Sequence, residues 1–227
     1  MAAVVVASAA VVAGAACRGG GGSTGGAAGT HRSAGDQAKV AAVNLKLADL
    51  PPEWASSPPA DPVGEEGDTS RYAECVGRPD PKTVRTATAD SPQFHVEERM
   101  RAASTVQAMP TAAAANGDFT AGQGDRGLPC TRQRVQNLLD RQSSAGTAPS
   151  SFTIDRMAGA SYGDQTVAYR VVFSYPTVRG AAAHKGYLDL VNVRKGRLEL
   201  SFAFLNDSQP FPADLERNAV RTVVGRA

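Results

Sequence analysis

The pentapeptide GASYG, Gly159 to Gly163, fits the G-x-S-x-G pattern that lifts a nucleophilic serine onto a sharp strand-to-helix turn. Its context argues against that role, because the run that follows, DQTVAYRVVFSY, is β-rich and contains no helical pattern. Ser161 is therefore expected in a turn between two strands, where flanking glycines serve backbone conformations with positive φ. A general base would have to come from His95 or His184, since His31 lies in a Gly-rich stretch near the start. His95 and Glu97 are two residues apart, so on a strand they would share a face, most simply as a solvated pair. Asp164 is expected to serve the turn before its strand. Arg194, Lys195 and Arg197 gather at the tip of an expected hairpin, where solvation is the plain reading and contact with an anion the sharper one.

Three cysteines carry the remaining reactive side chains. Cys17 follows an apolar run, MAAVVVASAAVVAGAA, that would make about 24 Å of helix at roughly 1.5 Å per residue. That is short of the ~20 residues a bilayer span needs, and fits a signal peptide better. Gly14, Ala15 and Ala16 are small residues directly before a cysteine, a pattern resembling the bacterial lipobox, in which the cysteine receives lipid after cleavage. The leucine usual three positions before the cysteine is replaced by Gly14, and no Lys or Arg precedes Cys17, so either a basic stretch lies upstream of Met1, the preferred expectation, or the signal is a weak one. With Cys17 lipidated, Cys75 and Cys130 remain to pair as a disulfide in an oxidising compartment. Neither belongs to a CxxC pair and no His/Cys cluster has ligand spacing, so neither metal nor cofactor is expected.

Residues 17–43 are rich in Gly, Ala, Ser and Thr and read as a lipidated cysteine followed by a flexible linker, after a signal peptide at 1–16. A single globular domain is expected over 44–227. Within it 21 basic side chains face 21 acidic ones, so the electrostatic footprint of a nucleic-acid binder is missing. Trp54, the single tryptophan, is expected to pack a loop against the sheet or to stack on a flat ligand. Tyr169 and Phe202 lie in strand patterns and would line a cavity for a small apolar ligand if the sheet curves under a helix.

SRYAECVG is compatible with a helical turn carrying Cys75, and helices are expected at TAAAANGDFTAG and CTRQRVQNLLDRQ, the last with Val135, Leu138 and Leu139 on one stripe. FPADLERNAVRTVVGRA should close the chain as a helix that buries Leu215, Ala219, Val220 and Val223. FHVEERMRAASTVQAM reads as an exposed-edge or bent strand over 94–109. FTIDRM, QTVAYRVVFSY, KGYLDLVNVR and RLELSFAFL read as antiparallel strands, the last two joined by a turn at Lys195 and Gly196. Tyr187, Asp189, Val191 and Val193 share one face of theirs. The expected class is α+β, an antiparallel sheet of about five strands covered by helices.

In order along the chain, LADLPPEW, ECVGRPDP, SPQF, GDQTVAYRV and VRKGRLEL resemble actinobacterial secreted lipoproteins and sensor-like domains of the mycobacterial Lpq type. More distantly they are similar to the PsbP/Mog1-like α/β/α sandwich. The resemblance implies a fold and an address on the outer face of the cell membrane, and transfers no catalytic residue. The expectation is a lipid-anchored envelope domain that binds a small apolar ligand or an envelope protein without catalysis. An envelope hydrolase using Ser161 and a structural subunit of a membrane complex are the alternatives.

Overall fold

A computed structural model describes residues 33–58, 65–97, 99–142, 149–175 and 184–227. Alternating apolar residues after position 150 produce the four long strands the pattern predicts: β5 (Ser151–Arg156), β6 (Gln165–Ser174), β7 (Lys185–Lys195) and β8 (Leu198–Asn206). Ahead of them come β1 (Ala55–Ser57), β2 (Ala87–Asp90), β3 (Gln93–Val96) and β4 (Met100–Ala108). The sheet is antiparallel in every pairing, in the order β1-β3-β4-β8-β7-β6-β5 with β2 also on β4. The α+β class holds, with eight strands among the described residues instead of about five.

Two departures concern these strands. The expected single strand over 94–109 is a hairpin, β3 and β4, turning through Glu97 at φ 45°, and β4 lies inside the sheet between β8 and the β2/β3 pair. The charged residues interleaved in this stretch suggest an edge in sequence, whereas Glu97 and Arg99 are exposed beside the hairpin turn and β4 beyond them buries the small side chains Ala102, Ser104, Val106 and Ala108. The β7–β8 turn sits one residue later than expected, since Lys195 pairs with Leu198 and leaves Gly196 and Arg197 at the tip. Gly196 has φ 58°, a conformation open to glycine without steric cost.

Alternation gives the sheet two faces, each with its own core. On the first, Phe94, Ala102, Val106, Ala168, Val191, Val193, Leu200, Phe202 and Phe204 meet α1 (Ala34–Val43) and α6 (Ala213–Arg226). On the second, Ile154, Val167, Tyr169, Val171, Phe173, Leu188 and Leu205 meet Phe119 of α4 (Ala112–Gln123) and Val135 and Leu139 of α5 (Gly127–Gln142). The helices α2 (Glu65–Val76) and α3 (Pro81–Val84) complete that outer layer, α2 packing on α4 and α5. Helices on both sides of one sheet make an α/β/α sandwich.

The last part of the stretch expected as flexible linker, residues 33–43, is folded, and the rest of it lies outside the described residues. Ser33 caps α1, its hydroxyl accepting from the Asp36 amide at 3.2 Å. Val40 and Val43 are fully buried against the sheet. Asp36 binds the Arg197 guanidinium and the Thr86 hydroxyl, and those bonds hold its carboxyl down at about 2. Residues 33–43 therefore belong to the folded unit. At the other terminus Arg226 grips Asp49 through both η nitrogens at 2.7 Å and donates to the carbonyls of Val43 and Asn44. Arg226→Ala strands the buried Asp49 carboxylate, so we expect a loss of about 2 kcal/mol, read as a lowered urea midpoint at unchanged slope.

Candidate functional site

The structure disperses the residues singled out for catalysis. Ser161 is exposed in the β5–β6 connection, and both motif glycines have backbone reasons to be there. Gly159 adopts φ 81°. Gly163 adopts φ 58°, and a Cβ on it would lie 2.6 Å from the Arg194 carbonyl oxygen and 2.8 Å from Val193 Cγ1. The sequence around Ser161 thus records a tight crossing against β7. His184 lies at the far end of β6 and β7, where Ser174 pairs with Lys185, about 30 Å along the strands from Gln165. It stacks on Tyr175 with ring centroids 4.4 Å apart. His95 is on β3, four strand spacings or about 19 Å from β6. The expected His95–Glu97 pair does not share a strand face, because Glu97 occupies the left-handed turn that ends β3.

The hairpin-tip cations are spoken for inside the chain. Asp164 accepts from the Gly196 amide at 2.8 Å and from Arg194 Nη1 at 2.9 Å. Arg194 also donates to Gln165 and to the Gly196 carbonyl, Arg197 to Asp36 and the Met109 carbonyl, and Lys195 Nζ to the Val224 carbonyl at 2.8 Å. The last contact sets a cation on the C-terminal end of α6, where the helix dipole favours it. Asp164 therefore organises the β7–β8 turn, and the anion-binding reading of the tip loses its donors.

The three aromatic candidates are core. Phe202 is sealed in the first core, 6.1 Å from Phe204, and Tyr169 in the second. Burial pushes the Tyr169 phenol up. Trp54 is 4% exposed and packs on Phe211 at 6.1 Å, with its Nε1 buried and without an acceptor. Cys75 on α2 and Cys130 on α5 form a disulfide across 55 residues. Cys17, the expected lipidation site, lies outside the described residues. Among the described residues no group of three His, Cys, Asp or Glu side chains could hold a metal ion. No described helix is long and apolar enough to cross a membrane.

What the structure assembles instead is a polar expanse on the second face. The outer layer covers β5, β6 and β7, with α4 reaching β8, and beyond it the side chains change character. By strand alternation the face continues through Ser201 and Ala203 on β8, Arg101, Ala103, Thr105 and Gln107 on β4, and His95 on β3. Ser201 is exposed and donates to Asn192 at 2.8 Å; Thr105 donates to Asp90 at 2.7 Å. Arg101, Ala103, Gln107, Ala203 and His95 are half-buried. The floor is thus made of small and hydrogen-bonding side chains, exposed at Ser201, buried at Thr105 and half-buried elsewhere.

A charged cluster borders this floor. Arg78, just after α2, pairs with Asp118 of α4, and Glu199 of β8 lies within hydrogen-bond reach of Asp118. Burial first, and the Asp118 charge second, push the Glu199 carboxyl up to about 9, so it keeps its proton at neutral pH. On the opposite face Arg170 of β6 holds Asp189 of β7 in a two-pronged contact, 2.7 and 2.6 Å. Glu216 of α6 adjoins that pair, and burial followed by Asp189 pushes its carboxyl up to about 7. Each cluster centres on an arginine paired with one carboxylate and has a second carboxyl beside the pair. Sequence reasoning missed both, since their members are scattered along the chain; the one signal available was Asp189 in phase with Val191 and Val193 on an inward face.

No family model matches the chain, and no curated protein matches it. Among solved structures it is similar to the extracellular domain of PknH from Mycobacterium tuberculosis, at 12% identity over 88% of this chain and 100% of that one, with a TM-score of 0.42. A likeness of that degree assigns no function.

Proposed function

We propose that this protein is a lipid-anchored domain on the outer face of the cell membrane that binds an envelope partner without catalysis, through the polar half of its second sheet face. The observation that carries the reading is the contrast between the two kinds of candidate. Every aromatic side chain considered for a ligand cavity is sealed in a core, whereas the floor around Ser201, Thr105 apart, is half-buried to exposed and rich in hydrogen-bonding groups. The Cys75–Cys130 bridge supports an exported address, because such bonds persist in oxidising compartments. The small residues before Cys17 support the anchor.

A photo-crosslinking residue at Ser201 tests the surface in intact cells, with Asn218 on the exposed side of α6 as the control. A discrete adduct at 201 and none at 218 is expected; equal labelling, or none at either, would remove this face from consideration. The anchor is tested separately by detergent phase partition. Cys17→Ser should move the protein from the detergent phase into the aqueous phase, and unchanged partitioning would overturn the lipidation reading.

A further inference from the structure

We propose that Arg170, Asp189 and Glu216 form a pH-responsive latch that sets how tightly α6 is held on the sheet. This goes beyond the binding role above and does not depend on it. Asp189 is 0% exposed, and Glu216 is buried in the first turn of α6 within hydrogen-bond reach of it. Arg170 is committed to Asp189 in a two-pronged contact, and Arg217 is exposed and paired with Asp214, so an ionised Glu216 would be a buried charge with little compensation, which is costly. The interface resolves this by retaining a proton. Around Glu216 stand Asp189 on β7, Arg170 on β6, Tyr162 in the β5–β6 connection and Arg217 on α6 itself. Near Glu216 the rest of the α6 interface is apolar, Leu200, Phe202 and Phe204 on β8 and Val40 and Val43 on α1; the remaining charged contacts of α6 lie at its C-terminal end, Lys195 on the Val224 carbonyl and Arg226 on Asp49, and Arg221 of α6 lies near Tyr162. Lys39 of α1 is exposed and Asp36 is engaged with Arg197.

When α6 lifts away, Glu216 returns to an ordinary carboxylate and releases its proton. Its folded-state value is raised, so the closed form binds more protons than the open form, and closure weakens as pH rises from about 4.5 toward 7, then levels off. One linked proton changes the opening equilibrium by at most about tenfold per pH unit in that window. The consequence is a helix clamped in mildly acidic surroundings and eased at neutrality.

Hydrogen exchange of α6 amides in the full chain, corrected for intrinsic rates and compared with β7 and β8 amides, reads the latch. At least a tenfold rise in α6 opening between pH 5 and 7 is expected, with a plateau above 7. Glu216→Gln should flatten the rise to under about threefold, while Glu199→Gln should leave it intact. No rise in the wild type, or the same rise in Glu216→Gln, would overturn the proposal. Titration of the Glu216 carboxyl carbon by NMR needs no variant: a midpoint near 7 supports the latch, and an ordinary carboxylate midpoint overturns it.

Discussion

Replacing Cys75 and Cys130 together with alanine should cost about 4 kcal/mol of stability. In the chain-entropy account the bridge restricts the unfolded ensemble by closing a loop, and a closure of 55 residues sits between the values for short and very long loops. For a chain of this size that loss corresponds to a fall in Tm of about 8–16 °C. Alanine is preferred to serine because Cys130 is buried, and a hydroxyl there would add a desolvation penalty unrelated to the crosslink. The bridge also has a local task. It joins α2 to α5 in an outer layer whose other large apolar contacts come mainly from α4 and α5. Without it α2 should exchange its amides faster than α5. Urea unfolding with and without reductant checks the assignment: reductant should lower the wild-type midpoint to that of the double variant and leave the variant unmoved. Equal midpoints for wild type and variant would mean that the crosslink contributes nothing to the folded state's advantage.

The elements that carry their own burial signal were legible before the structure. Strands β5 to β8 announce themselves because Val, Phe, Tyr and Leu alternate over six to eleven residues, and α6 because its apolar stripe recurs at helical spacing. The hidden elements depend on partners far along the chain. Helix α1 has only Val40 and Val43 as large buried side chains, and its anchoring charge, Asp36, meets Arg197 from 161 residues away. Strands β1 and β2 hold three and four residues, mostly Ala, Ser and Thr, and become strands by pairing with β3 and β4. The same physics hid the charged clusters. Arg78, Asp118 and Glu199 are far apart in sequence, and each alone reads as a solvated surface charge. Only the crossing of α4 over β8 removes Glu199 from water and makes its protonation a structural matter. Conversely, GASYG and the cation-rich hairpin tip looked chemical in sequence and proved to be backbone geometry and internal bonding.

Glu199→Gln should stabilise the protein by about 3 kcal/mol at pH 7, an unusual sign for a change at a half-buried polar position whose Oε1 is shielded from water. In the unfolded chain Glu199 ionises near its ordinary value of about 4.5, so folding at pH 7 requires taking up a proton, at about 1.4 kcal/mol per pH unit of separation. Glutamine is neutral in both states and avoids that cost, while its amide can still donate to Asp118 as the protonated acid does. The sign across pH follows from the raised folded-state value. Native protein binds more protons than unfolded protein between about 4.5 and 9, so wild-type stability falls as pH rises through that range. The gain from glutamine should therefore shrink toward zero near pH 4.5 and grow toward pH 9. Below pH 7 the variant keeps the smaller slope due to Glu216, and above pH 7 it should be nearly flat. Arg78→Met makes the contrasting case, because it leaves the Asp118 carboxylate buried without its guanidinium and should cost about 3 kcal/mol or more. Urea midpoints of all three proteins at pH 5, 7 and 9 decide the matter. A Glu199→Gln variant destabilised equally at each pH would mean that Glu199 is ionised in the folded state and that Arg78 serves both carboxylates; a gain that widens with pH would place the proton on Glu199 and leave Arg78 to Asp118 alone.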